Sequence, residues 1–575
     1  MEFRIDLSAI AQRRLRIQLA LEPGPESDFI EFFLPVWTPG SYLIREYSRH
    51  ILSLDAVDGV RGVGLEVERP AKNRYRVRTP EGCERVVLRY EVYAHSLTVR
   101  EAWVGEEFAY WNGACAYLWP VGSEASAARI RVELPTGWTL FAGGSVTDGA
   151  FEVRDLDHAV DTPCVAAADP VIVEFAALGR QHRFVCAGLA GLAPRESLAN
   201  DATRIVEAAA RVFGGELPFT EYSFLSLFGA SGRGGLEHCD CSTLLAPRTT
   251  FAEQNDYEDF MSLVAHEFFH VWNVKRMRPK DLMRFDYERE QHTTLLWVAE
   301  GVTAYYDDHI CLRTGLYSPR RYLDVITGHI RNMRRMPGRL MHSLADASFD
   351  AWIRFYRPDE NTRNSTQNYY SNGALAAICI DAWIRDATEG ARSLDDVMGT
   401  LWRETESTGY ALEDVLAAID AAAGETLAAD VRSLVEGPFD PDLDGVFRRF
   451  GLALDPGDVS APRLGVQFER GSTKIATVFD GTPAFDAGLA PGDEVLAVDD
   501  LRVDAANWTT VFHEAVAPGE PAVILVAREG RVSEFEAVPD HDDVTNLRIV
   551  PLPEPSDEQL SLRVGWLGEA SRTLR

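Results

Sequence analysis

Two histidines and one glutamate interrupt an apolar stretch of the chain that is otherwise suited to a buried helix. His266 and His270 stand four residues apart, and Glu267 directly follows the first of them. Residues four apart lie one above the other on an α-helix, so both imidazoles can face the same point. The spacing predicts a metal ion bound by His266 and His270.

Glu267 has a different role in this pattern. It lies about 100° further round the helix than His266, which places it beside a metal-bound water rather than among the metal ligands. This HExxH arrangement is typical of zinc-dependent hydrolases, in which the glutamate is the general base. The alternative is structural, since two histidines on an apolar helix face can also donate to backbone carbonyls.

Glu300 is the candidate for the third protein ligand that a catalytic zinc requires. It interrupts a second apolar helical stretch, at 296–306. A carboxylate on a buried helix face is costly unless a charged group pairs with it, and zinc would be that partner. The sequence therefore predicts one zinc ion per chain, bound by His266, His270 and Glu300.

The composition places limits on size and on partners. The chain has 575 residues and a formal net charge of −31, from 88 acidic and 57 basic residues. At roughly 100–200 residues per domain, this length predicts three to five domains. The excess of negative charge argues against affinity for nucleic acid or for anionic membranes.

The cysteines and the absence of targeting signals favour a cytoplasmic protein. The eight cysteines include no CxxC pair, which is typical of reduced thiols in a cytosol. The first residues lack the features of a signal peptide, and no stretch approaches the roughly 18 apolar residues of a membrane span. A periplasmic protein whose precursor had been processed would look the same.

The remaining chain must supply the elements that position these groups, and residues 1–168 indicate a β-rich domain. Leu15, Ile17 and Leu19 alternate with polar residues, and similar alternation recurs further along. We expect a β-sandwich or a saddle-shaped sheet. The aromatic and glycine-containing segment at 35–42 either contacts substrate or is buried between domains, and packing between domains is the favoured interpretation.

The sequence pattern of residues 169–455 predicts a domain that mixes helices and strands and whose second half is helical. The stretch 199–214 predicts a helix that ends at glycine, and alternation at 222–228 predicts a strand. A glycine-dense segment then precedes the HExxH helix. Gly234 and Gly235 in this segment would let a backbone edge approach a substrate closely.

Residues 460–540 form a separate unit that resembles a PDZ domain. The resemblance is carried by Pro483-Ala484 and by the run from Ala487 to Val495, which reads Ala-Gly-Leu-Ala-Pro-Gly-Asp-Glu-Val. PDZ domains bind the carboxyl terminus of a peptide as an added strand. The unit therefore either binds such a peptide beside the strand at 464–468 or has a purely structural role. Residues 541–575 are a tail that the pattern leaves unassigned.

Together these features resemble the bacterial glycyl aminopeptidase family, which consists of gluzincin zinc metallopeptidases with a C-terminal PDZ domain. The resemblance covers nearly the whole chain and rests on His266–His270, Glu300, Gly234–His238, the 35–42 segment and the PDZ-like unit. It implies a multidomain α+β fold. The expected parts are a β-rich N-terminal domain, a thermolysin-like zinc metallopeptidase catalytic domain with a helical subdomain, and a C-terminal PDZ domain.

The resemblance also implies roles for further residues. The Gly234-Gly235-Leu236-Glu237-His238 segment is similar to a strand of larger zinc aminopeptidases, and this makes Glu237 the group that binds the substrate amine. Methionine and asparagine in those enzymes are replaced here by Leu236 and His238. Tyr370, in Tyr370-Ser371-Asn372-Gly373, matches a tyrosine that stabilises the oxyanion, with Tyr369 as its rival.

The predicted function is that of a zinc aminopeptidase. Metal-bound water would attack the first peptide carbonyl with Glu267 as the general base, on peptides with a free N-terminus. The family resemblance suggests that small N-terminal residues, glycine or alanine, are preferred. Two alternatives remain open: a zinc endopeptidase, since HExxH does not require a free amine, and a non-catalytic scaffold that uses its PDZ unit.

Overall fold

The fold is known from a computed structural model, which describes residues 1–23 and 28–574. The chain divides into two units, Met1–Gln291 with Trp402–Gly409 and His292–Leu401 with Tyr410–Arg575. Short 3-10 turns occur at Ile10–Gln12, Tyr47–His50, Gly113–Cys115, Lys280–Leu282, Pro337–Leu340, Asp350–Trp352 and Glu569–Thr573. No helix in the described part of the chain is both long and apolar enough to cross a bilayer.

The N-terminal region is β-rich, as predicted. Its elements are β1 (Glu2–Asp6), β2 (Arg14–Leu21), β3 (Phe29–Phe33), β4 (Ile51–Asp58), β5 (Gly64–Leu65), β6 (Val67–Ala71), β7 (Arg74–Arg78), β8 (Val86–Tyr93), β9 (Ala102–Val104), β10 (Phe108–Trp111), β11 (Trp119–Pro120), β12 (Ala128–Glu133), β13 (Thr139–Ala142), β14 (Ala150–Val153), α1 (Leu156–Val160) and β15 (Cys164–Ala167). The sheets have the orders β14-β12-β1-β2-β8-β4-β5, β13-β15-β10-β9 and β11-β3-β7-β6. Leu15, Ile17 and Leu19 are buried, so the alternation in β2 correctly identified the core face.

A mixed sheet follows and supports the residues with predicted chemistry. It contains β16 (Val171–Ala177), β17 (Arg180–Ala187), β18 (Glu221–Gly229), β19 (Gly234–Glu237) and β20 (Cys241–Pro247), in the order β16-β17-β18-β20-β19. The neighbours β17, β18 and β20 are parallel, whereas β19 runs antiparallel to β20 at the edge of the sheet. The helices are α2 (Leu198–Val212), close to the predicted 199–214, and α3 (Gln254–Phe269), which contains the first histidine.

After Gln291 the chain is mostly helical. A π-helix at Trp297–Val302 leads directly into α4 (Thr303–Arg313). The helices that follow are α5 (Pro319–Arg334), α6 (Leu344–Phe349), α7 (Thr362–Ser365), α8 (Ser371–Ala387), α9 (Leu394–Thr405), α10 (Leu412–Ala423), α11 (Ala428–Glu436) and α12 (Leu443–Arg448). This agrees with the helical second half predicted for the catalytic region.

The PDZ-like unit has its own apolar core, which includes Ile475, Val495 and Ile524. Its elements are β22 (Pro462–Arg463), β23 (Val466–Phe468), β24 (Ile475–Val478), α13 (Pro483–Asp486), β25 (Glu494–Val498), β26 (Leu501–Arg502), α14 (Trp508–Ala515), β27 (Ala522–Arg528), β28 (Arg531–Ala537) and β29 (Asp540–His541). A strand precedes it, β21 (Leu452–Asp455), and β30 (Arg548–Pro551) and α15 (Asp557–Leu567) follow it.

The tail that the sequence left unassigned packs back onto the helical region. Strand β30 pairs with β21 in antiparallel register, so the chain enters and leaves the PDZ-like unit side by side. Trp566 in α15 packs against Phe450, with ring centroids 4.6 Å apart, and its carbonyl oxygen lies 3.1 Å from His309 Nε2. The tail therefore packs against side chains of the helical region.

Candidate functional site

The C-terminal end of α3 positions the two histidines of the predicted metal site. His270 Nδ1 lies 2.6 Å from the carbonyl oxygen of Asn273. A carbonyl only accepts hydrogen bonds, so Nδ1 carries the proton and the lone pair of the ring is on Nε2. That Nε2 lies 3.2 Å from His266 Nε2. Two nitrogens bound tetrahedrally at about 2.05 Å from one zinc lie roughly 3.3 Å apart, so the pair fits this metal.

Glu267 is buried against the edge strand of the mixed sheet. Its side chain is 4% exposed. A Cβ built on Gly235 would lie 1.9 Å from Glu267 Oε1 and 2.2 Å from Cδ, so the strand passes the carboxylate at a distance that only glycine permits. The sequence predicted that Gly235 lets the strand approach a substrate. In the structure, Gly235 also makes room for the carboxylate of Glu267 beside the predicted metal ligands. A Cβ on Gly234 would meet only Arg100 Nη1, at 3.7 Å.

Glu237, at the other end of β19, is equally enclosed. It is 4% exposed, and its Oε1 has no hydrogen-bond partner among the residues that the structure describes. A Cβ on Gly40 would lie 2.5–2.6 Å from both carboxylate oxygens, and Gly40 has a φ of +80°. A buried carboxylate with an unsatisfied oxygen is costly unless a cation pairs with it. Glu237 is thus suited to bind a cationic group.

The 35–42 segment that supplies Gly40 is packed inside its unit. Trp37 is fully buried, and its Nε1 donates to the carbonyl oxygen of Asp286 at 2.8 Å. Tyr42 is 2% exposed. Trp37 belongs to the predicted N-terminal domain and Asp286 to the predicted catalytic domain, so the segment is buried between these two parts of the chain, as the favoured interpretation had it. Its glycine also shapes the surroundings of Glu237.

Glu300 lies in the π-helix, and a glycine contact fixes the neighbouring backbone. Glu300 is 2% exposed. A Cβ on Gly301 would lie 2.6 Å from both the Cα of Gly373 and the carbonyl oxygen of Tyr369, so the π-helix and α8 touch through their backbones. The sequence predicted a helix here but gave no sign of its π geometry. Such turns occur frequently at functional sites.

Tyr370, not Tyr369, has the exposure expected of a residue that can meet a substrate. Tyr369 is completely buried, whereas Tyr370 at the start of α8 is partly exposed. Burial and the Glu300 carboxylate raise the pKa of Tyr370 well above its usual value. The phenol therefore stays protonated at neutral pH and can donate a hydrogen bond.

Two groups of side chains in the described ranges could hold a metal ion. One comprises His266, His270 and Glu300, and the other comprises Glu237, Glu267 and His270. In each group the ligand atoms lie within 4.8 Å of one another. The first has the two imidazoles and one carboxylate found in catalytic zinc sites.

A buried ion pair that the sequence did not reveal supports the turn after Glu237. Asp161 accepts from Lys275 Nζ at 2.7 Å and from the backbone amide of Cys239 at 2.9 Å, and it lies 3.2 Å from His238 Nδ1. Although burial raises the pKa of Asp161, the charge of Lys275 holds it well below its usual value. Asp161 lies in the N-terminal region, about 110 residues before Lys275, so no local pattern could have connected the two.

Comparison with known proteins adds three matches to described families. Residues 2–168 match the N-terminal domain of M61 peptidases, residues 259–376 match M61 glycyl aminopeptidase, and residues 462–538 match a PDZ domain. No curated protein sequence is significantly similar to the chain.

Solved structures also resemble the fold. A crystal structure of an aminopeptidase N family protein from Idiomarina loihiensis is 27% identical, with a TM-score of 0.90, and the match covers 98% of this chain and 99% of that chain. Two structures of a variant M1 zinc metallopeptidase from Deinococcus radiodurans, one of them bound to a Tyr-Ser-Ala substrate, are 14% identical, with TM-scores of 0.48, and the matches cover 77% of this chain and 94% of those chains.

Proposed function

We propose that the chain is a member of the M61 glycyl aminopeptidase family, that it binds one zinc ion through His266, His270 and Glu300, and that it removes the first residue from peptides with a free amine. The protein is accordingly a metallo-aminopeptidase. The observation that carries the zinc proposal is the 3.2 Å separation of the two histidine Nε2 atoms, which suits two ligands of one tetrahedral zinc.

Glu267 is the general base of the proposed reaction. When bound, zinc supplies a Lewis acid that acidifies water and polarises the substrate carbonyl. Glu267 accepts the proton of the attacking water and passes it to the leaving amine. Its burial and its close packing on Gly235 support this role, because both hold the carboxylate in one position.

Glu237 is the proposed binding site for the substrate amine. Its Oε1 accepts no hydrogen bond in the described structure, and a substrate ammonium would supply the missing donors. Gly235 and Glu237 are two residues apart on β19 and therefore present the same face. An amine held at Glu237 thus lies on the face of the strand that packs on Glu267, and this favours cleavage of the first peptide bond.

Tyr370 is the proposed donor to the oxyanion that develops on the substrate carbonyl. Its raised pKa keeps the hydroxyl protonated, and its partial exposure leaves the ring accessible. A preorganised neutral donor of this kind stabilises negative charge in a transition state.

We further propose that glycine or alanine is preferred at the substrate N-terminus. The name of the matched family supports this preference. A Cβ on Gly40 would lie 2.5–2.6 Å from both oxygens of Glu237, so the backbone of Gly40 passes close beside the proposed amine site and supports a narrow space there.

The PDZ-like unit is a second candidate binding site, proposed to take the carboxyl terminus of a peptide. Strand β23 pairs with β24 on one edge, and no other strand in the described residues covers its second edge. A peptide strand can add to an edge of this kind.

Hydrolysis of free and N-acetylated peptides by the same protein preparation tests the proposal. We expect release of the first residue from glycyl and alanyl peptides, about one zinc per chain, and no cleavage of acetylated peptides. Replacing Glu237 with glutamine should lower turnover without lowering the zinc content. Cleavage of acetylated peptides would instead establish an endopeptidase, and a protein that binds peptides without zinc or hydrolysis would be a scaffold.

A further inference from the structure

A groove in the PDZ-like unit combines an apolar floor with an open strand edge. It is part of a cavity of about 680 Å3 bordered by β23 and α14. Leu464 and Phe512 in its lining are almost completely buried. The rings of Phe468 and Trp508 pack edge to face, with centroids 4.9 Å apart. The groove can therefore hold an apolar side chain of an extended peptide.

The turn before β23 directs a backbone amide away from the core of the unit. The carbonyl oxygen of Leu464 accepts from the amide of Ala484 at 2.8 Å. In a trans peptide the N–H of the next residue points in the opposite direction, so the N–H of Gly465 points outward. Gly465 also lines the cavity. A terminal carboxylate at this position would meet a backbone donor.

The opposite side of the same cavity is rich in arginine and is formed by the helical region. We call this set the arginine wall; its members are Arg334 at the end of α5, Arg335, Arg339 and Arg363 in α7. Among the residues that the structure describes, the acidic side chains in the lining are Asp480 and Asp542. The concentration of positive charge stands out in a chain whose net charge is −31.

Much of the positive charge of the arginine wall is not neutralised internally. Arg339 pairs with Asp440 at 3.1 Å, and Arg335 donates to the neutral hydroxyl of Thr545 at 2.7 Å. Burial raises the pKa of Asp542, whereas its hydrogen bonds and the nearby charge of Arg335 lower it, but Arg335 forms no ion pair with Asp542 within 4.0 Å in the described ranges.

In the described ranges, the side chains of Arg334 and Arg363 form no hydrogen bond and no ion pair within 4.0 Å. Arg334 interacts at longer range with Asp444, whose pKa is raised by burial but lowered by its own hydrogen bonds and in part by Arg334. Burial and the charge of Arg334 lower the pKa of Arg339 despite its pairing with Asp440. An anionic group bound beside these arginines would offset the repulsion between their positive charges.

The groove and the arginine wall are fixed to each other by buried contacts. Asn364, next to Arg363, donates through Nδ2 to the carbonyl oxygen of Val478 at 2.8 Å and accepts from the amide of Asp480 at 3.1 Å. Asn364 is 7% exposed. Arg331 in α5 donates to the carbonyl oxygen of Leu547, just after the PDZ-like unit. One extended peptide can therefore contact both sides at once.

We propose that this cavity binds a free carboxyl-terminal segment that ends in an apolar residue and carries Asp or Glu just before it. The peptide adds as a strand to β23, its last side chain enters the apolar floor, and its acidic side chains pair with the arginine wall. The inference rests on the peptide-binding role proposed for the PDZ-like unit and adds the charge of its ligand. A nucleic acid or a polyphosphate would use the arginines but neither the strand edge nor the apolar floor.

Fluorescence anisotropy with the full-length protein tests the proposal. The probe is a short peptide that ends in valine, has three glutamates before it, and carries a fluorescent label on its amine so that an aminopeptidase cannot degrade it. Comparison peptides replace the glutamates with serine or lysine, or convert the carboxyl terminus to an amide. We expect the glutamate peptide to bind at least roughly tenfold more tightly than the lysine peptide, with a difference that shrinks as salt is added. Amidation should weaken binding of the glutamate peptide.

Variants distinguish binding of the peptide by the arginine wall from a general attraction between charged peptides and the protein. Arg334→Gln with Arg363→Gln should weaken binding of the glutamate peptide by roughly threefold to tenfold and leave the serine peptide within twofold. Arg531→Gln removes an exposed arginine of the same unit outside the cavity and should leave both affinities unchanged. Thermal melting confirms that each variant is folded.

Equal affinity for the glutamate and lysine peptides would overturn the proposal, as would a double variant with wild-type binding. Equal binding of the free and amidated peptides, with displacement by polyphosphate, would identify a general polyanion site and would also overturn it. Hydrolysis of an unlabelled glycyl dipeptide by the same preparation reports separately on the aminopeptidase function, because the labelled peptides measure binding alone.

Discussion

Replacing Gly235 with alanine tests whether the edge strand positions Glu267 for catalysis. The new Cβ would lie 1.9 Å from Glu267 Oε1, 2.2 Å from Cδ and 2.5 Å from Cγ, whereas ordinary contact begins at about 3.4 Å. The carboxylate must therefore move by roughly 1.5 Å. Gly235 does not have a positive φ, so alanine introduces no backbone strain and the effect comes from the contact alone.

The expected result is a large loss of turnover with the metal site intact. A misplacement of about 1 Å can cost roughly 100-fold in rate, which corresponds to about 2.7 kcal/mol in the activation free energy. The assay is kcat/KM on a glycyl chromogenic substrate, with zinc content and Tm measured on the same sample. The matched control is Gly64→Ala, also in a strand and without a positive φ, where nothing lies within 4 Å of the built Cβ.

Full turnover by a folded, zinc-loaded Gly235→Ala protein would refute the reasoning. It would mean either that Glu267 moves without catalytic consequence or that another group accepts the proton. A loss of zinc would point instead to displacement of the neighbouring His266.

Three further predictions follow from other contacts. Asp161→Asn leaves Lys275 buried without its carboxylate and should lower the free energy of unfolding by about 3–5 kcal/mol at pH 7, measured by urea denaturation. Because the pKa of Asp161 in the folded state is below the unfolded value of about 3.9, this difference should be complete above that pH and shrink below it. Gly301→Ala should push the π-helix away from Gly373 and weaken zinc binding in a competition with a chelator, whereas Gly328→Ala in α5, where nothing lies within 4 Å, should raise the Tm slightly. Removal of zinc by a chelator should abolish hydrolysis and lower the Tm, and added zinc should restore both.

Each of these outcomes can fail independently. An Asp161→Asn protein as stable as the wild type at pH 7 would show that the buried pair contributes nothing net. Unchanged zinc affinity in Gly301→Ala would show that the glycine contact does not hold Glu300 in place. Hydrolysis that survives complete removal of zinc would contradict the metal assignment itself.

The sequence by itself was sufficient to predict those parts of the site whose residues lie a few positions apart in the chain. The four-residue interval between His266 and His270 makes both imidazoles point the same way on any α-helix, and the 3.2 Å between their Nε2 atoms agrees with this prediction. The alternation in β2 and the glycine-proline turns of the PDZ-like unit are likewise local signals, so the type of element and its buried face could be read directly.

Only the tertiary structure decided which distant segments meet. Gly40 against Glu237, Gly301 against Gly373, and Asp161 beside Lys275 join parts of the chain separated by about 70 to 200 residues. The arginine wall likewise joins the PDZ groove to helices that precede it by more than 100 residues. Spacing and periodicity report what lies within a few turns of one element, whereas these contacts result from the packing of whole sheets and helices, which leaves no mark on the local pattern.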